Sequence, residues 1–181
     1  YNQPGHEIDV LASWDFVDDD ANVGIEVGDA EDQHHHGTIV LATIAGYNPD
    51  TFVGMAPDAS FILAKTEIVD EEIEAEEDLY VAGLEFVELN GADIATASLG
   101  YIDWYTQADL DGLTAVTTQA VNIATANGMY YVTAAGNEGN DTDPATSTII
   151  APADAFAVIT VGAVGFAGAL ADFSSAGPTP D

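Results

Sequence analysis

Met129-Tyr130-Tyr131-Val132-Thr133-Ala134-Ala135-Gly136-Asn137-Glu138-Gly139 is the stretch whose reading decides the fold. Residues 129–134 are largely apolar, as expected for a strand in a sheet covered on both faces. Asn127-Gly128 just before it stops a helical pattern, and Gly136-Asn137 just after it begins a turn. A strand of this kind belongs to a parallel sheet flanked by helices.

The same alternation extends in both directions. Strands are expected over residues 8–17, 60–65, 93–98 and 156–164. A buried helix is expected over 36–45, with Val40 and Ile44 on one face and Gly46 as its stop. Leu79, Ala82, Phe86 and Leu89 space a second helix over 71–89, which Gly83 weakens and Asn90-Gly91 ends. A third covers 113–126. Residues 18–33, 109–112 and 138–148 read as loops, and Pro57-Asp58-Ala59 as a turn. The expectation is one domain over residues 1–181, an α/β three-layer sandwich whose mostly parallel sheet is flanked by helices. In such sheets function sits at the carboxyl ends of strands.

Composition narrows the partners. The chain has 181 residues, 48% of them hydrophobic, enough for a core and too apolar for disorder. Against 32 acidic residues there is one basic residue, Lys65, for a formal net charge of −31. Phosphate binding needs clustered Lys and Arg, so nucleic acid is disfavoured as a partner, and anionic membrane surfaces equally. No apolar run is long enough for a membrane helix, and residues 1–15 do not read as a signal peptide. Self-repulsion at this charge destabilises a compact state in dilute buffer and is relieved by salt, so a high-salt habitat is expected. Cysteine is absent, so disulfides contribute nothing. The acidic runs at 18–20 and 71–78 read as solvated surface or as carboxylates for structural Ca2+.

Three short segments carry candidate chemistry. His36, followed by Gly37-Thr38, stands at a helix start, and an imidazole with an ordinary pKa near 6.5 suits a general base at neutral pH. Its alternatives are a polar loop end, or a metal site formed by two of His34, His35 and His36 with Glu31 or Asp32. Three consecutive histidines do not converge readily on one ion. Asn137 follows the buried strand; its amide could donate to an oxyanion, or it is a turn asparagine. Ser98-Leu99-Gly100 ends a strand in small residues, either an edge for an extended peptide or a plain strand exit.

Taken in order, these segments resemble the subtilisin-like serine proteases, the subtilase family. His36-Gly37-Thr38-Ile39-Val40 with Ala45-Gly46 is similar to the family's catalytic histidine helix, and Gly54-Met55-Ala56-Pro57-Asp58-Ala59 to its following turn. Ser98-Leu99-Gly100 resembles the substrate-binding strand. Ala134-Ala135-Gly136-Asn137-Glu138-Gly139 resembles the wall of the specificity pocket ending in the oxyanion asparagine. Val161-Gly162-Ala163-Val164 and Phe173-Ser174-Ser175-Ala176-Gly177-Pro178 are similar to later family segments.

The resemblance implies a subtilisin-like fold and a secreted endopeptidase acting on polypeptides, a monomer needing no cofactor for its chemistry. His36 and Asn137 would be catalytic. Ser98, Leu99, Gly100, Ala134, Ala135 and Gly136 would bind substrate, with small pocket residues leaving room for a sizeable side chain. The family's triad runs Asp, His, Ser. Asp9 and Asp15 lie in the wrong context for its aspartate, and Ser174 and Ser175 match a structural segment, not the nucleophile. The chain therefore reads as the central part of a peptidase domain, inactive alone. The alternative is a catalytically dead module that binds peptides or calcium.

Overall fold

The computed structural model describes residues 5–140 and 146–180. Within the expected 138–148 loop, residues 141–145 lie outside the described residues. The chain divides into two compact units, Tyr1–Leu79 and Tyr80–Asp181.

In the first unit, β1 (Asp9–Asp15) pairs in parallel with β4 (Ser60–Lys65), from Asp9 opposite Ser60 to Asp15 opposite Lys65. Between them come α1 (His35–Ala45) and a hairpin of β2 (Tyr47–Asn48) and β3 (Phe52–Val53), which the sequence reading did not anticipate. The end of α1 is tied down by the segment after the hairpin. Gly54 N–H donates to the Gly46 carbonyl at 2.7 Å, and Ala56 N–H to that of Ile44 at 2.9 Å. A helix leaves its last carbonyls without internal partners, and these bonds satisfy them. A Cβ on Gly54 would lie 2.9 Å from the Ala45 nitrogen, so only glycine allows this approach.

Two expectations need correction here. Helix α1 is not buried: Ala45 alone is, and Ile39 is 66% exposed. Its apolar residues run all round the helix, so no single packing face can bury them all. The second helix, α2 (Ala75–Leu89), begins four residues later than 71. The Glu76 carboxylate accepts from the N–H groups of Ile68 at 2.7 Å and Ile73 at 3.1 Å, which holds the preceding residues in a loop. Glu76 and Glu77 are buried, so this part of the acidic run is structural and not solvated surface.

The second unit holds β5 (Ile94–Ala97), α3 (Val116–Ala126), β6 (Tyr130–Ala134) and β7 (Val158–Val161). The strands form one parallel sheet in the order β5-β6-β7. Tyr80, Leu84, Tyr101, Val121, Met129 and Tyr131 are central to its core. The Tyr80 and Tyr131 hydroxyls hydrogen-bond inside it, and burial pushes the Tyr131 phenol up from its ordinary pKa. Buried Asp154 accepts from Gly112 N–H at 3.0 Å and the Thr118 hydroxyl at 2.6 Å, fastening α3 and the turn before it. Phe156 N–H donates to the Asn122 side-chain oxygen at 2.9 Å, so β7 starts later than residue 156.

Candidate active site

Strands β5 and β6 are parallel neighbours, with Ala97 opposite Thr133. The chain therefore leaves both at the same end of the sheet. Ser98-Leu99-Gly100 emerges from one strand and Ala135-Gly136-Asn137 from the other, as read from the sequence. Ser98 is exposed, Leu99, Gly100 and Ala134 are half-buried, and Ala135 and Gly136 are buried. Residues 149–151 run between the two exits. Ile150 N–H donates to the Ala135 carbonyl at 3.2 Å, and Ala151 and Tyr101 exchange backbone bonds at 3.1 and 2.9 Å.

The turn that carries Asn137 is braced from below. Gly136 has φ of 119°, a backbone that a side chain strains, and a Cβ there would lie 2.6 Å from the Ser175 hydroxyl oxygen. Ser175 grips both neighbours of Asn137. Its N–H donates to the Gly136 carbonyl at 3.0 Å, and its Oγ accepts from Glu138 N–H at 3.0 Å. Gly139 N–H donates to the Phe173 carbonyl at 2.9 Å, and the Asn140 amide to that of Ser174 at 2.9 Å. Asn137 itself is exposed. The arrangement is an amide donor on a turn fixed at several points, the form that preorganised oxyanion stabilisation requires.

Ser174 and Ser175 are 1% and 2% exposed, and their oxygens accept from Ala163 N–H at 2.9 Å and Glu138 N–H at 3.0 Å. Neither is placed as a nucleophile. Sequence reasoning recognised this segment but missed the brace, because nothing in the spacing couples residue 175 to residue 138.

His36, in the first unit, is the second residue of α1 and is exposed. The His34 and His35 rings meet edge to face at 4.8 Å. Among the described residues, the histidines do not combine with Glu31 or Asp32 into a metal-ligating group. The one such group is Asp15, Asp18 and Glu26, whose oxygens lie within 4.8 Å of one another. It already holds a cation from the chain itself. Lys65 Nζ is 2.6 Å from Asp15, 3.4 Å from Asp18 and 3.2 Å from Asp29. Burial alone would push the Lys65 pKa down. Hydrogen bonds and charges from Asp15 and Asp29 outweigh it and raise the pKa above the ordinary lysine value. A bond from the Glu26 backbone, and then Lys65, hold Asp29 below its ordinary value. One Asp15 oxygen also accepts from Val17 and Asp18 N–H at 2.8 and 3.1 Å, while the other faces Lys65.

Comparison with known proteins gives the family. A family model described as the subtilase family matches residues 2–181. The major intracellular serine protease of Bacillus subtilis is 32% identical over 176 residues, 97% of this chain and 51% of that protein. Subtilisin E of Bacillus subtilis is 35% identical over 157 residues, 86% of this chain and 38% of that protein. Among solved structures, MycP1 with its N-terminal propeptide removed aligns at a TM-score of 0.63 and 25% identity, over 95% of this chain and 60% of that one. The prenylagaramide maturation protease PagA aligns at 0.64 and 25%, over 80% and 48%. The chain thus spans about half, or less, of the curated relatives it matches. The family match along nearly its whole length shows that this chain, with its α/β subtilisin-like fold, belongs to the subtilase family of serine endopeptidases.

Proposed function

We propose that these residues supply the general base and the oxyanion donor of a secreted subtilisin-like endopeptidase. The observation that carries the reading is the pair of strand exits. Residues 98–100 and 134–136 leave adjacent parallel strands side by side, and the second runs straight into a braced turn presenting Asn137. In this reading His36 takes the proton from a serine nucleophile and returns it to the leaving amine, while Asn137 donates to the tetrahedral oxyanion. Ser98, Leu99, Gly100, Ala134, Ala135 and Gly136 hold the extended substrate backbone. In this reading the triad serine and aspartate are not among the residues assigned here, and without a nucleophile the 181-residue chain alone is inactive.

The net charge of −31 supports a protein working in high salt, with polypeptides and not nucleic acid or membranes as its partners, and the family resemblance carries the extracellular location. The protein is a monomer, its chemistry needs no cofactor, and any Ca2+ is structural.

The test is a fluorogenic peptide assay in molar NaCl on the product of the entire reading frame and on the 181-residue chain. Turnover by the former, lost in His36→Ala and strongly lowered in Asn137→Ala, with none by the latter, is the expected result. No turnover by the full product, or turnover indifferent to His36, overturns it.

A further inference from the structure

We propose that Ile150 fills the floor of the groove between residues 98–100 and 134–136, making the peptidase selective for glycine, alanine or serine just before the cleaved bond. The inference rests on the peptidase reading above and adds its substrate class.

Small residues on both walls of a groove ordinarily leave room for a large substrate side chain. Gly100 and Gly136 stand on facing walls here, but the space between them is taken. A Cβ on Gly100 would lie 2.6 Å from Ile150 Cγ1, and one on Gly136 would lie 3.0 Å from that atom and 3.2 Å from Cδ1. One isoleucine side chain thus packs against both glycine backbones. Its own backbone is held on either side, by the Ile150–Ala135 bond at 3.2 Å and the Ala151–Tyr101 pair. These bonds fix the backbone from which the side chain projects. Ile150 is half-buried, so part of its surface stays open to contact. A substrate side chain that stops at Cβ or Oγ fits above it. A phenylalanyl or leucyl side chain has to displace it, and overfilling a packed apolar site is unfavourable.

The test uses the product of the entire reading frame and peptides that differ only in the residue before the cleaved bond: Gly, Ala, Ser, Leu or Phe. Wild type is expected to favour Ala over Phe in kcat/KM by about tenfold or more, the scale on which apolar pockets discriminate by size. Ile150→Gly should shift that ratio toward Phe by a similar factor, with Ile150→Val between. Wild-type preference for Phe or Leu, or a ratio unmoved by Ile150→Gly, overturns the proposal. If Ile150→Gly fails to fold, the wild-type profile and Ile150→Val decide. Absence of any cleavage, or cleavage that survives His36→Ala, sinks the peptidase reading and this inference with it. His36-dependent cleavage with no size preference sinks this inference alone.

Discussion

Lys65 Nζ stands 2.6 Å from a carboxylate oxygen of Asp15, at the paired ends of β4 and β1. In a chain with 32 acidic residues, the single cationic side chain sits against a carboxylate that is fully buried. Removing one partner of a buried ion pair leaves the other charge uncompensated, at a cost of about 3–5 kcal/mol. Lys65→Met should therefore destabilise the chain on that scale in urea unfolding followed by Trp14 fluorescence. Lys65→Met combined with Asp15→Leu should recover only part of the loss: the buried pair is replaceable by apolar residues, but Val17 and Asp18 N–H lose their acceptor. A neutral single variant would refute the role given to the pair.

The same groups set the pH profile. The folded pKa of Lys65 is raised, so its stabilisation is complete below the unfolded value of about 10.4 and is lost as pH rises through the folded one. Asp29, Asp109 and Asp111 have lowered pKa values. Hydrogen bonds from Thr106 dominate for Asp109, and one from Leu113 N–H for Asp111. Their stabilisation is present above about 3.9 and is lost as pH falls through the folded values. Thermal midpoints should decline at both extremes, and Lys65→Met should shrink the alkaline arm to the part that comes from buried Tyr131, whose phenol is also raised. An alkaline arm of equal size in that variant would assign it elsewhere.

Salt should raise the thermal midpoint. A net charge of −31 repels itself, and the screening length falls from about 10 Å at 0.1 M to about 3 Å at 1 M. Melting the chain across this range of NaCl checks the point, and a constant midpoint would remove the charge argument for a saline habitat.

Ser175 is expected to act through Asn137. Ser175→Ala removes the acceptor for Glu138 N–H while leaving the Asn137 side chain untouched. In the full reading-frame product kcat should fall about tenfold with KM little changed, consistent with losing one hydrogen bond of about 1–3 kcal/mol. Asn137→Ala should itself lower kcat about 10²–10³-fold, the magnitude established for the oxyanion asparagine of a subtilisin relative. In the Asn137→Ala background Ser175→Ala should add little. A lowered melting point with unchanged kcat would make Ser175 merely structural.

Local pattern was enough for most of the scaffold. Strand Ser60–Lys65 coincides with its expected span, and α1 starts within one residue of it. Both strand exits of the candidate site lie where the sequence places them. Periodicity, caps and turn residues act over a few positions, so a linear reading reaches them. Other features needed the fold: Ile150 between two glycines, Ser175 under the Asn137 turn, Lys65 against Asp15, and Glu76 turned inward. Each joins residues brought together by sheet order, strand register or burial, and none of these leaves a local signature. The exposed faces of α1 make the same point from the other side. The sequence marks that helix as apolar, but burial depends on what packs against it, and apolar residues on every side of a helix cannot all meet one neighbour.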